Sequence, residues 1–96
     1  MEITDVKIRK ICRDERLRAI VSVVIDGELA VHDIKVIEGP NRLFVAMPSR
    51  KEGSERFRDV VHPITAEGRK MLENIILEKY LNLVAVMAEY GENKLP

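Results

Sequence analysis

Four basic residues stand close together in the middle of the chain, and their side chains suit the binding of phosphate groups. They are Arg50, Lys51, Arg56 and Arg58. The first two lie in a polar, glycine-containing stretch, residues 49–56, whose composition predicts a loop. Arg56 and Arg58 point to the same side if a strand begins there, because alternate strand residues share a face. Four cations at one loop and strand end could contact a nucleic-acid backbone.

The same segment has a second interpretation as a solvated loop that binds nothing. Glu52 and Glu55 neutralise part of its charge, and runs of charged residues are usually solvated surfaces. The whole chain is also neutral, with sixteen Lys and Arg against sixteen Asp and Glu. Residues 42–58, however, carry five basic and two acidic residues, whereas residues 19–41 and 59–96 are acidic. Nucleic-acid binding therefore stays open for this segment.

Histidine and aspartate occur together twice, as His32 with Asp33 and as Asp59 with His62, and these residue types serve acid–base and metal chemistry. Their spacing matches no metal-ligand motif, and neighbouring strand residues point to opposite faces. A hydrogen-bonded structural histidine is the favoured interpretation. Cys12 is the single cysteine, so an intramolecular disulfide and a cysteine-rich zinc site are excluded. We expect no enzyme activity, no metal or cofactor, and no small-molecule substrate.

Composition places the chain among globular proteins with an aliphatic core. Its 96 residues are 46% hydrophobic and 33% charged, with 4% aromatic residues and no Trp, which favours one folded domain over residues 1–96. The first five residues do not resemble a signal peptide, and no apolar run approaches the ~18 residues of a membrane span. We therefore expect a cytoplasmic protein without membrane contact.

The segments that must position these side chains are predicted to be strands. Five strands are predicted, over residues 3–11, 17–25, 29–37, 43–47 and 57–61. The grounds are apolar alternation and β-branched composition, and Pro48 ends the fourth strand. Phe44 and Phe57 lie in these segments, and alternation predicts that both are core residues rather than base-stacking ones. The sequence thus predicts an α+β fold with a five-stranded antiparallel sheet, two hairpins plus a further strand, over residues 1–64.

Asp-Gly at 26–27 is typical of the type I′ turn that joins two strands of a hairpin. If these are the two turn residues, Val21 lies opposite His32. His32 is then on the apolar face of the hairpin, and Asp33 is on the other face. That other face, which includes Val31, is too apolar for full solvation, so we expect part of it to be covered.

A long C-terminal helix is predicted over about residues 65–90, followed by a frayed tail at 91–96. Thr65 is a suitable N-cap and Gly91 a suitable stop. Apolar residues recur at helical spacing and extend beyond one stripe, which predicts burial on two sides. One side should meet the sheet and the other a second copy of the chain, giving a homodimer. The predicted dimer contacts are Tyr80, Leu81, Val84, Ala85 and Ala88.

Four segments of the sequence resemble the bacterial stage V sporulation protein G (SpoVG) family. They are VHDIKVI at 31–37, LFVAMPSRK at 43–51, FRD at 57–59 and HPI at 62–64. The resemblance covers roughly residues 1–82. It implies a small dimeric protein with an antiparallel sheet and a C-terminal helix. It also implies a DNA-binding, and RNA-binding, regulator of gene expression linked to sporulation and septation.

The resemblance further implies that the basic pair after Met-Pro-Ser and the arginine of Phe-Arg-Asp contact nucleic acid. In this sequence they are Arg50, Lys51 and Arg58. The chain departs from the family between them, where residues 52–56 replace a Thr-Pro-Asp-Gly-like turn. This stretch adds two glutamates and a compensating cation, Arg56.

Two functions from different classes follow. The first is a dimeric regulator that binds DNA, and also RNA, through the four basic residues of the 50–58 segment. The alternative is a protein–protein adaptor in cell-division control that binds no nucleic acid. Its docking surface would be the apolar helix or the second face of the sheet. A metal-dependent enzyme ranks well below both.

Overall fold

The computed structural model describes residues 1–13 and 15–90. Within these residues the elements are β1 (Ile3–Ile11), β2 (Leu17–Ile25), β3 (Leu29–Glu38), β4 (Leu43–Ala46), β5 (Ser49–Glu52), β6 (Arg56–Asp59) and α1 (Ala66–Tyr90). Strands β1 to β4 form an antiparallel sheet in sequence order, and β5 and β6 form a separate two-stranded sheet. The α+β class with a C-terminal helix is confirmed. The single five-stranded sheet is wrong.

The chain leaves the first sheet at Pro48, which has no N–H to continue a ladder. Residues 49–52, predicted to be a loop, form β5 and pair with β6 instead. The Val60 N–H donates to the Pro48 carbonyl at 2.8 Å and closes the base of this hairpin. The loop prediction failed because it relied on polarity, whereas a hairpin exposed on both faces has no need for apolar alternation.

The core lies between one face of the four-stranded sheet and the helix. Its fully buried large side chains are Val21, Val23, Ile34, Val36 and Ile76. Leu72 and Tyr80 of α1 join them, together with Val45 of β4 and Met47, which follows that strand. These residues alternate along β2 and recur every fourth position along α1, so sheet and helix present one apolar surface each.

The register of the β2–β3 hairpin differs from the predicted one. Glu28 N–H donates to the Ile25 carbonyl at 3.0 Å across the 26–27 turn, as predicted, but Ile25 pairs with Leu29. A bulge then follows, since Val23 pairs with Val31 and Val21 with Ile34.

Asp33 stands in this bulge with a φ of +62°. The extra residue lets Val31 and Ile34 both face the core, while His32 and Asp33 are exposed. The predicted placement of His32 on the apolar face, and of Val31 on the other, is therefore wrong.

Helix α1 begins as predicted. The Thr65 hydroxyl accepts a hydrogen bond from the Gly68 N–H at 3.0 Å, and the Thr65 carbonyl accepts one from the Arg69 N–H, as an N-cap does. The Gly91 stop and the frayed tail lie outside the described residues. No helix within the described part of the chain is long and apolar enough to cross a membrane.

Candidate nucleic-acid interface

The hairpin of β5 and β6 holds all four basic residues singled out in the sequence. All eight residues of its two strands are exposed. Arg50 pairs directly with Arg58, and Glu52 pairs with Arg56. Residues opposite each other in an antiparallel pair point to the same side, as do alternate residues of one strand. Three arginines and one glutamate therefore share a face, which we call the arginine face.

Lys51 lies on the opposite side of the same ribbon. It pairs with Phe57, and Ser49 pairs with Asp59, so these four residues form the second face, which we call the lysine–phenylalanine face. The structure therefore brings together Arg50, Arg56 and Arg58 and separates Lys51 from them. The prediction that Arg56 and Arg58 share a side is confirmed.

The pairing of Arg50 with Arg58 works against folding of the hairpin. Side chains directly opposite in an antiparallel pair have Cβ atoms about 4.5–5.5 Å apart, and like charges at that distance destabilise the pair. Glu52 offsets part of the repulsion, since its Oε2 lies 3.4 Å from Arg58 Nε. Both side chains are mostly exposed, so this ion pair contributes little to stability. An anion between the two guanidinium groups would relieve the repulsion far more directly.

A groove of about 550 Å³ opens on the hairpin. Residues of both faces line it, namely Arg50, Glu52 and Arg58 of the arginine face and Lys51 and Asp59 of the other face. Arginine presents a planar fork of donors that suits phosphate and guanine edges, whereas lysine acts as a point charge. The groove can therefore hold an anionic backbone between cations from two strands.

Phe57, like His32, does not lie where the sequence predicts it. It was predicted to be in the core, but its side chain is 70% exposed in the middle of β6. Phe44, by contrast, is half-buried in β4. The available signal was local: the other three residues of β6 are all charged, so no apolar alternation accompanies Phe57.

His32, another candidate for chemistry, belongs to a small polar network on the outer face of the four-stranded sheet. Arg9 Nε donates to Ser22 Oγ at 3.2 Å, and Ser22 Oγ shares a hydrogen bond of 2.8 Å with His32 Nδ1. Asp59 and His62 belong to other parts of the chain. Among the described residues, no three His, Cys, Asp or Glu side chains come together as metal ligands.

The predicted dimer residues lie on different sides of α1. Tyr80 is 8% exposed and packs in the core against the sheet. Val84 is half-buried, while Leu81, Ala85 and Ala88 are exposed on the side of the helix that faces away from the sheet. The helix thus leaves a narrow apolar stripe uncovered.

A model of the SpoVG family matches residues 1–82 of the chain. "Putative septation protein SpoVG" from Acetivibrio thermocellus is 54% identical over 93 residues, covering 97% of this chain and 99% of that protein. Proteins of the same name from Clostridioides difficile and Clostridium novyi are 54% and 55% identical over 80 residues. Those matches cover 83% of this chain and 87% and 80% of the two relatives. The resemblance is confirmed, and the chain belongs to the SpoVG family.

Proposed function

We propose that the chain is a dimeric, cytoplasmic, nucleic-acid-binding regulator of gene expression that acts in septation and sporulation. The observation that carries the proposal is the direct pairing of Arg50 with Arg58 on a fully exposed hairpin. This arrangement costs stability and contributes no core, and a bound anion would offset the repulsion between the two arginines. The names of the relatives support the link to septation.

In this function the hairpin acts as a two-stranded ribbon, an element narrow enough to enter the major groove of DNA. Arg50 and Arg58 contact phosphates or guanine edges from the arginine face, and Arg56 extends that contact toward the turn. Lys51 adds a point charge from the other face. Binding by the hairpin requires no side chain to do covalent chemistry.

The test is a mobility-shift titration of DNA and RNA at several salt concentrations with the double variant Arg50→Ala, Lys51→Ala. We expect an affinity at least roughly tenfold weaker than that of the unmodified protein, because two phosphate contacts are lost. Arg69 and Lys70 provide a matched control, since they are an exposed Arg-Lys pair on the helix. Arg69→Ala, Lys70→Ala should bind normally. Intact binding by the hairpin variant would show that the hairpin is not the site.

We also propose that the dimer forms through the exposed stripe of Leu81, Ala85 and Ala88 on α1, with the half-buried Val84 at its edge. Leu81 is 51% exposed, so a charge there is tolerated by the folded chain but not by an apolar interface. Leu81→Glu should give a folded monomer by light scattering and circular dichroism. If Leu81→Glu remains a dimer, the interface lies elsewhere. A dimer that binds no nucleic acid yet captures a protein would favour the adaptor function instead.

A further inference from the structure

Phe57 occupies an unusual position for a large apolar side chain. It lies inside a strand, 70% exposed, on a ribbon whose other seven strand residues are Ser49, Arg50, Lys51, Glu52, Arg56, Arg58 and Asp59. Phe57 does not contribute to the core, since it is absent from the buried cluster and from the side chains packed against that cluster. Scattered exposed aliphatic residues are common on proteins. An exposed aromatic ring among cations is more informative, because aromatic rings and cations together form a known kind of binding site.

That chemistry is the binding of unpaired nucleotides. Proteins that bind single strands combine cations that follow the backbone with aromatic rings on which bases stack. Phe57 has Lys51 directly opposite on its own face and an arginine on either side in sequence, Arg56 and Arg58, which point to the other face. A base stacked on the ring therefore has its flanking phosphates within reach of cations from both faces of the ribbon.

The surroundings of Phe57 favour a nucleotide over a protein partner. Its neighbours on the lysine–phenylalanine face are Ser49, Lys51 and Asp59, so the ring is the one large apolar side chain that the two strands place on this face. Protein interfaces bury a larger apolar centre behind a polar rim. One aromatic ring beside one cation suits a ligand that has one planar group and a negative charge adjacent to that group.

We propose that Phe57 is a base-stacking residue, and that the lysine–phenylalanine face binds an unpaired nucleotide of single-stranded RNA or DNA. This inference rests on the proposed nucleic-acid function and adds its ligand class. The two faces then have different ligands. The arginine face contacts phosphates of any strand, whereas the lysine–phenylalanine face favours bases that are free of a duplex, because duplex bases are already stacked on each other.

The test uses the full chain and a short fluorescein-labelled single-stranded DNA, alone and as a duplex with its complement, in anisotropy titrations. Phe57→Leu keeps an apolar side chain but removes the ring. We expect it to weaken single-strand binding about tenfold, the usual loss for one stacked base, and to leave duplex binding unchanged. Phe57→Tyr should restore single-strand binding. The salt dependence should be the same for all three proteins, because no charge is lost.

Two controls make the result specific. Ile64→Ala removes an apolar side chain that is 90% exposed outside the hairpin, and it should bind like the unmodified protein. A 2-aminopurine base placed in the single strand reports its removal from the neighbouring bases, since stacking on those bases quenches its fluorescence. The unmodified protein should raise the fluorescence more than Phe57→Leu does.

Three outcomes would overturn the inference, and they can be told apart. Unchanged single-strand affinity for Phe57→Leu would remove the stacking role but leave the proposed function intact. Equal loss on single strand and duplex would mean that Phe57 supports the hairpin and stacks on no base. An unmodified protein that binds neither DNA nor RNA would overturn the proposed function, and the stacking role with it.

Discussion

Two hairpins among the described residues have a glycine at positive φ in their turns, and the two hairpins have opposite surroundings. Gly27 has a φ of +66° between β2 and β3, and Gly53 has a φ of +74° between β5 and β6. The first hairpin contributes Val21, Val23 and Ile34 to the core. In the second, every strand residue is exposed. A glycine at positive φ thus closes the turn of a packed hairpin and also the turn of an exposed one.

This difference means that the first hairpin contributes to the free energy of folding, whereas the second is available to contribute to binding. The β2–β3 hairpin is held by buried apolar area, which stabilises by about 25 cal/mol per Å². The β5–β6 hairpin has no such area, and isolated two-stranded hairpins are marginal in water. Its side chains are therefore free of packing constraints and can be selected for a ligand. The arginine pair that would harm a packed strand is tolerated there.

The largest expected effect comes from truncating one large side chain in each hairpin. Ile34→Ala removes a fully buried side chain and should lower the free energy of unfolding by about 2–5 kcal/mol, because it leaves a cavity. Phe57→Ala should change it by no more than about 0.5 kcal/mol, since the ring is exposed. Urea denaturation followed by circular dichroism measures both. Similar losses would show that the second hairpin is packed after all.

A smaller effect is expected from the two turn glycines. A Cβ at Gly27 or Gly53 would meet no atom within 4 Å, so only the positive φ opposes substitution. Gly27→Ala should lower the free energy of unfolding by about 1 kcal/mol, because the strained turn joins two core strands.

Gly53→Ala should leave global unfolding unchanged and weaken nucleic-acid binding a few-fold, because only the local hairpin loses order. The same urea titration and a mobility shift, run on both variants, provide the comparison. A Gly53→Ala protein that unfolds as early as Gly27→Ala would mean that the two hairpins fold as one unit.

The smallest expected effect concerns the one acidic residue on the arginine face. Glu52 Oε2 lies 3.4 Å from Arg58 Nε, where it would compete with a phosphate for that arginine. Glu52→Gln should tighten nucleic-acid binding by roughly two- to fivefold, the range for one exposed ion pair. Glu28→Gln, in the turn of the first hairpin, is the matched control and should have no effect. Unchanged or weaker binding by Glu52→Gln would argue that Glu52 positions Arg58 instead of masking it.

Features with a local physical cause could be predicted from the sequence. Asp26 and Gly27 both have positive φ, as a type I′ turn requires, and Thr65 caps the helix as expected. The helix over Ala66–Tyr90 agrees with the predicted range of about residues 65–90, which rested on apolar residues at helical spacing and on the Thr65 cap. The family resemblance also pointed to the basic residues that the hairpin holds.

Features that depend on contacts between distant residues could not be predicted. The position of the bulge at Asp33 could not be predicted, because aspartate adopts positive φ in turns as well as in bulges and the pairing with β2 decides which residue is extra. Strand β5 forms because β6 pairs with it, and neither strand carries the apolar alternation that marks a strand in a core. The opposite orientation of Lys51 and Arg50 followed from alternation once a strand was recognised there.

The central claim is that the arginine face binds nucleic acid without contributing to the fold. The most direct test measures affinity against salt concentration for the unmodified protein and for Arg50→Ala, Arg58→Ala, with urea unfolding of the same samples. For the double variant, the negative slope of log affinity against log salt should become shallower by about two. The affinity should drop roughly tenfold or more, and the urea midpoint of unfolding should be unchanged. An unchanged slope and affinity would contradict the claim.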